Sequence, residues 1–209
     1  MPRTHTHTHI VYTFEELSDD AKSVALDHMR EKEYHVDDDY WYEHMFDHFK
    51  EIGSILGIEI KNIYFTGFWH QGDGACFEGS YSYQKGWRKK LEDLVPEYEQ
   101  RFSDVVDIAE TLQEVQRRHF YKLSASVDKT YRSCHSRSPT ITVSHDDCGW
   151  WWDSHNPVDE DEVKEALRSY MDWMYKSLQD EYEYRTSDEC LTETAIDLEL
   201  EFYATGKLY

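Results

Sequence analysis

Several residue types are scarce in this chain, and each shortage excludes a class of protein. The 209 residues include only 4 Cys, 4 Pro and 9 Gly. Four scattered cysteines cannot build the dense disulfide framework of a small secreted domain. No run of about 18 apolar residues occurs, so a membrane-spanning helix is not predicted. The first ten residues also lack the apolar stretch of a signal peptide. We therefore expect a cytoplasmic protein that does not contact a membrane.

Basic residues are also scarce, and the excess acids are concentrated in two segments. Lys and Arg total 22 against 43 Asp and Glu, a formal net charge of −21. Residues 15–59 carry net −10 and residues 153–201 net −12, whereas residues 60–152 carry net −1. Phosphate neutralisation needs clustered cations, so the charge disfavours direct binding of nucleic acid. It favours a surface that engages a basic protein site, with solubility alone as the alternative.

Large apolar side chains are plentiful, and they predict a packed core. Apolar residues make up 39% of the chain and aromatic residues 15%. The sequence predicts a single α+β domain over residues 1–209, with an antiparallel sheet of about five to six strands and acidic helices packed on it. The predicted strands are Thr4–Thr13, Ile58–Trp69, Cys76–Tyr83, Tyr121–Lys129, Pro139–His145 and Glu201–Ala204.

Capping residues predict where the helices begin and end. Ser18 starts the first helix, and Asp37, Asp38 and Asp39 open a second helix that stops at Gly57. Asn156 and Pro157 begin a long helix. Thr186 and Glu189 have the spacing of a capping box for the last helix.

The first candidate site is a hairpin turn that carries several polar side chains. It gathers an acid, an imidazole and an amide, which could bind a polar ligand or act as acid and base. The alternative is a tight turn in which Asp73 bonds to the local backbone and Gly72 and Gly74 supply positive φ. The candidate ligand residues are Trp69, His70, Gln71, Asp73 and Glu78.

Two groups of residues have metal-ligating side chains, but neither has the spacing of a known metal site. His5, His7 and His9 share one face of the first predicted strand. Cys134 with His135, and His145 with Cys148, do not form the paired knuckles of structural zinc. We predict no metal and no cofactor, and we expect all four cysteines to be reduced, Cys76 and Cys190 included.

Two further clusters each allow two interpretations. Basic residues near Tyr83 and Tyr121 could cradle a nucleotide, or they could balance charge from the acidic helices. The loop Trp150–Trp152 could anchor a partner or pack on the sheet. The basic residues are Lys85, Arg88, Lys89, Lys90, Arg117, Arg118 and Lys122.

Four stretches resemble a family of phage- and prophage-encoded proteins often labelled antitoxin-like. They are YTFEELS at 12–18, IYFTGFWHQGDGACFEGSYSY at 63–83, QRRHFYKL at 116–123 and EYEYRTSDE at 181–189. The resemblance implies a bacterial host cytoplasm and a role in neutralising a host toxin or defence protein. It transfers no catalytic residue. The His-alternating start and the Trp150–Trp152 loop depart from the family pattern.

The leading hypothesis is an acidic inhibitory binding protein that occludes a basic, nucleic-acid-binding site on a host protein. Carboxylates would take the place of phosphates, and aromatic side chains would supply the desolvated contact. Two alternatives stay open: a nucleotide-binding sponge or hydrolase that uses the hairpin, and a homo-oligomeric accessory protein. The predicted partner-binding residues are Asp37, Asp38, Asp39, Glu43, Asp159, Glu160, Asp161 and Glu162.

Overall fold

The chain forms two compact units. In the computed structural model, residues 8–32, 41–130, 132–145 and 157–209 are described, without the side chains of residues 98, 101, 157 and 158. The central unit is Tyr42–Gln179, and the terminal unit combines Met1–Trp41 with Asp180–Tyr209. The sequence predicts one domain over the whole length, whereas the contacts within the chain group into these two units.

The central unit is built on a four-stranded antiparallel sheet. Its strand order is β2-β3-β4-β5, so neighbours in sequence are neighbours in the sheet. The predicted hairpin is confirmed, because β2 pairs with β3 through Phe65 and Ala75 at its tip. The strands are β2 (Ile58–Phe65), β3 (Ala75–Ser82), β4 (Leu123–Asp128) and β5 (Thr140–His145).

Helices cover this sheet and supply the core. Tyr170, at the middle of the longest helix, is fully buried and lies 6.3 Å from Phe77 of β3, measured between ring centroids. Phe49 and Ile52 are also fully buried. The helices of the central unit are α2 (Glu43–Leu56), α3 (Trp87–Leu94), α4 (Tyr98–Arg101), α5 (Ser103–Arg118) and α6 (Pro157–Arg185), the last of which ends in the terminal unit.

The terminal unit pairs two helices with two very short strands. Helices α1 (Asp19–Glu31) and α7 (Asp188–Asp197) enclose a small apolar core. Strands β1 (Tyr12–Thr13) and β6 (Glu201–Phe202) form a separate two-stranded sheet, and Phe202 also makes an isolated bridge with Leu208. The prediction of five to six strands in one sheet is therefore wrong. Residues 8–11 do not extend β1, and the rest of the predicted first strand lies outside the described residues.

Three predicted helix boundaries are confirmed and two are wrong. The Ser18 hydroxyl oxygen accepts from the Ala21 N–H, and α2 ends at Gly57 in the left-handed conformation. The predicted capping box at Thr186 is wrong, because Thr186 donates its hydroxyl to the Tyr182 carbonyl and Ser187 caps α7 instead. The predicted start of α2 is wrong, because Trp41 and Tyr42 form a turn and the helix begins at Glu43, while residues 37–39 lie outside the described residues. Helix α6 begins at Pro157 as predicted, and Asn156 lies outside the described residues.

None of the helices in the described ranges is both long enough and apolar enough to cross a bilayer.

We predict that Gly57→Ala destabilises the protein by more than about 1–2 kcal/mol. Gly57 has φ of +86°, and a Cβ there would lie 1.9 Å from the Ser82 carbonyl oxygen. The matched control is Gly67→Ala, since a Cβ at Gly67 would meet only the Asp73 carboxylate at 3.6 Å. Urea denaturation of both variants measures the difference, and equal midpoints would contradict the prediction.

Candidate functional site

The predicted acidic run at the start of α6 is largely paired within the protein. Asp159 is only 6% exposed, and its carboxylate lies 2.7 Å from His119 Nε2 and 3.0 Å from the Arg118 guanidinium. Glu162 also pairs with Arg118. The expectation that the whole run is exposed is therefore wrong for Asp159. Asp159 is buried because the cationic last turn of α5 packs against the acidic first turn of α6. Each charge lies at the helix end where the helix dipole stabilises it.

The other predicted partner-binding residues have mixed environments. Glu160 and Asp161 each lie 3.5 Å from Lys164 Nζ, and Asp161 is mostly exposed. Glu43 is exposed in the first turn of α2. Asp37, Asp38 and Asp39 lie outside the described residues. The partner-binding role of these acids stays a prediction, and Glu43 and Asp161 are the most accessible among those described.

We predict that Asp159→Ala lowers the free energy of unfolding by about 1–3 kcal/mol, because it leaves a buried imidazole without its carboxylate. The matched control is Asp161→Ala, two residues away, which removes an exposed carboxylate and should change stability by less than about 0.5 kcal/mol. Chemical denaturation at pH 7 measures both. If Asp161→Ala lowers the free energy of unfolding as much as Asp159→Ala does, these acids affect stability only through their net charge.

In the hairpin, Asp73 organises the turn. Its Oδ2 accepts hydrogen bonds from the backbone N–H groups of Trp69 at 3.0 Å and His70 at 2.7 Å. The bond from His70 is the main reason that the pKa of Asp73 lies below its ordinary value. Gly72 has the predicted positive φ, whereas Gly74 does not, so that part of the prediction is wrong. Gly74 is needed for space instead, since a Cβ there would lie 2.8 Å from the Cα of His135.

Glu78 belongs to a separate hydrogen-bond group on the sheet. Its carboxylate accepts from the Asn62 side-chain amide at 3.0 Å and from the Tyr64 hydroxyl at 2.7 Å, both on β2. The bond from Asn62 is the first cause that lowers the pKa of Glu78. In the described part of the chain, no hydrogen bond joins Glu78 to Asp73 or His70. The ligand-pocket hypothesis remains a prediction, while each carboxylate has a structural role.

The other hairpin candidates are accessible. The His70 side chain is 88% exposed, with Nδ1 3.6 Å from the Asp73 carboxylate. Trp69 is 68% exposed, and Gln71 is exposed as well.

We predict that Asp73→Asn costs less stability than Asp73→Ala, because the amide oxygen of Asn keeps an acceptor for both N–H groups. The Ala variant should therefore have the lower urea midpoint of the two, by analogy with the loss of a helix cap. A lowered pKa in the folded state contributes stability that is present above the ordinary pKa. The advantage of the native protein over Asp73→Asn should therefore shrink as the pH falls below about 4. Urea titrations at pH 7, 5 and 3 measure this trend, and a constant difference would contradict it.

Cys76 and Cys134 are buried neighbours, since Cys134 is one of the causes that raise the pKa of Cys76, whereas Cys190 is half-buried on α7. Cys76, Cys134 and Cys190 are free thiols, and Cys148 lies outside the described residues. Burial raises the pKa of Cys76 to about 12, so it is a poor nucleophile at neutral pH. Within the described ranges no three His, Cys, Asp or Glu side chains are grouped to hold a metal ion. His9 is described, whereas His5 and His7 are not.

Two arginines of the basic cluster neutralise acidic side chains of the helices, which was one of its two interpretations. Arg88 pairs with Glu110 and Glu99, and Arg118 pairs with Asp159 and Glu162. The exposed members are Lys85, Arg88, Lys89, Lys90, Arg117 and Arg118, and Lys122 is half-buried. The rings of Tyr83 and Tyr121 are in contact at a tilt of 39°, with centroids 4.4 Å apart. The Trp150–Trp152 loop lies outside the described residues.

Sequence reasoning missed a groove between α5 and α6. It has a volume of about 540 Å³. A floor of Ile108, Ala166 and Trp173 is buried, and the rim carries five carboxylates and one lysine. The α6 wall follows alternating steps of three and four residues, which is a helical stripe that the sequence does contain. The rim residues with charge are Asp104, Asp107, Glu162, Glu165, Asp172 and Lys176.

A second surface missed from the sequence lies on α7 of the terminal unit. Glu189, Glu193 and Asp197 are exposed at helical spacing, and no ion pair involves them among the described residues. Beside them Tyr184 is 54% exposed. The pKa of Tyr184 is raised first by Cys190 and then by Glu193 and Glu189, which shows that they lie close to its hydroxyl. We refer to Tyr184, Glu189, Glu193 and Asp197 as the α7 surface.

Comparison with known proteins finds one family. A family model described as a domain of unknown function (DUF8835) matches residues 41–188. That match includes the whole central unit and only part of the terminal unit. No curated protein and no solved structure matches the chain.

Proposed function

We propose that this chain, which belongs to the DUF8835 family of domains of unknown function, is an acidic binding protein that occupies a basic site on a partner protein. The observation that carries the proposal is the α7 surface. Its three carboxylates have no cationic partner among the described side chains, and they lie beside an exposed aromatic ring. By contrast, each of the four acids at 159–162 forms an ion pair with a cation of the protein itself.

The arrangement suits recognition of a cationic protein surface. Exposed carboxylates attract a basic site at long range and raise the rate of encounter. Tyrosine then provides a rigid contact area with a polar tip, as in many interface hot spots. Ile196 is 44% and Leu198 49% exposed near the end of the same helix, which adds apolar area to the contact. Carboxylates in place of phosphates would allow the protein to occlude a nucleic-acid-binding site.

The resemblance to antitoxin-like phage proteins supports a specific kind of partner. Under this proposal the partner is a host toxin or defence protein with a basic surface. Glu43 is exposed in the first turn of α2 and can contribute to the attraction of a basic partner.

We predict that the triple charge reversal Glu189→Lys, Glu193→Lys and Asp197→Lys abolishes partner capture from a bacterial lysate at low salt. Mass spectrometry identifies the proteins that the native chain retains and the variant loses. The captured protein should bind nucleic acid in isolation, and added native protein should inhibit that binding in an anisotropy assay.

The matched control is Glu51→Lys, Glu92→Lys and Asp93→Lys, which makes the same change in net charge at exposed positions of the central unit. The control should keep capture. If both triple variants capture the same proteins as the native chain, the α7 surface is not the interface.

A further inference from the structure

We infer that the groove between α5 and α6 is a docking site for a basic peptide segment of a partner protein. This inference rests on the proposed function and assigns part of the contact to a second surface, in the central unit. The groove has a defined shape, a rigid floor and unbalanced negative charge.

The groove is bounded by two antiparallel helices. Phe102, just before α5, lies 6.0 Å from Trp173 of α6, measured between ring centroids. At the other end of α5, Arg118 lies 3.0 Å from Asp159 near the start of α6. These two contacts show that α5 and α6 run antiparallel beside the groove. Its volume of about 540 Å³ is in the range of binding clefts that accept small ligands or a few side chains.

The floor is apolar and firmly held. Trp173 is 8% exposed, and its ring packs against Phe49 at 5.2 Å, Tyr170 at 5.2 Å and Phe102 at 6.0 Å. A side chain locked by three aromatic neighbours loses little freedom when a ligand covers it. Ile108 and Ala166 complete the floor. The groove is therefore formed before any partner arrives.

The rim is negative after the internal ion pairs are taken into account. Glu162 pairs with Arg118, and Glu165 pairs with Arg168 at 2.6 Å and Arg137 at 3.3 Å. Asp104, Asp107 and Asp172 are exposed and form no ion pair with any described residue. Lys176 is the single cation of the lining. Three carboxylates thus remain available to a ligand.

This combination of floor and rim matches lysine and arginine side chains. Their aliphatic stems cover apolar surface while the charged heads reach carboxylates at the edge. An anionic segment would be repelled by the rim, and a purely apolar one would leave the three carboxylates desolvated. A basic segment with interspersed apolar residues satisfies both surfaces.

We propose to test this with a 12-residue amidated peptide of alternating Arg and Leu, titrated into the full chain by calorimetry at 50 mM and 300 mM salt. The native protein should bind it at low salt, and the affinity should fall at high salt. Asp107→Asn with Asp172→Asn should weaken binding at least tenfold. Ser169→Trp, which fills the groove at an exposed lining position without changing the charge, should weaken it as strongly.

The matched control, Glu92→Gln with Asp93→Asn at exposed positions of α3, removes the same charge and should change affinity less than threefold. Circular dichroism and melting curves confirm that each variant is folded. If the groove variants keep the peptide as well as the control does, the groove is not the docking site and the proposed function stands. If both double variants lose the same affinity for the peptide and Ser169→Trp binds it as the native protein does, the peptide is held only by the overall negative charge. That result would overturn the inference. Absence of binding by the native protein at 50 mM salt would also overturn it, whereas the lysate capture tests the proposed function separately.

Discussion

The central unit depends on the burial of one tyrosine. Tyr170 is fully enclosed, and its hydroxyl donates a hydrogen bond to the Phe49 carbonyl of α2 at 2.7 Å. Burial raises the pKa of Tyr170 well above its ordinary value, so the hydroxyl stays a neutral donor. Its ring also contacts Phe77 of β3. One side chain therefore joins α6, α2 and the sheet, and it sets which face of α6 points inward.

That orientation determines what the rest of α6 can do. Val163, Leu167 and Met174 share the buried face with Tyr170, at steps of three and four residues. Glu165, Ser169 and Asp172 consequently lie on an outer stripe, where they form one wall of the groove. Rotation of the helix by one residue, about 100°, would bury these polar groups and destroy the wall. The groove is thus a consequence of how the core is packed.

Charge in this protein has two distinct uses. At the junction of α5 and α6, cations and acids are paired and stabilise the helix ends. The carboxylates of the α7 surface, and Asp104, Asp107 and Asp172 on the groove rim, have no cationic partner among the described residues. A net charge of −21 describes neither arrangement, because it does not show which acids are already neutralised. Only the unpaired carboxylates produce a negative potential that attracts a basic partner.

Residues that look reactive in the sequence are used to hold the fold. Asp73 binds two backbone N–H groups of its own loop, and Glu78 links two neighbouring strands. Cys76 is buried. Polar residues near a turn satisfy local donors and acceptors as readily as they bind a ligand, and the sequence pattern is the same in both cases.

The sequence by itself determined the local structure. Helix caps such as Ser18 and Gly57, the hairpin of β2 and β3, and the antiparallel order of the sheet follow from short-range geometry and hydrophobic periodicity. Long-range pairing was decided only by the tertiary structure. Asp159 contacts His119, 40 residues away in the sequence, and Asp107 lines the same groove as Asp172. Both arrangements depend on how α5 packs against α6, and no local sequence pattern encodes that packing. For the same reason the sequence located the acidic segments but could not tell which carboxylates remain unpaired.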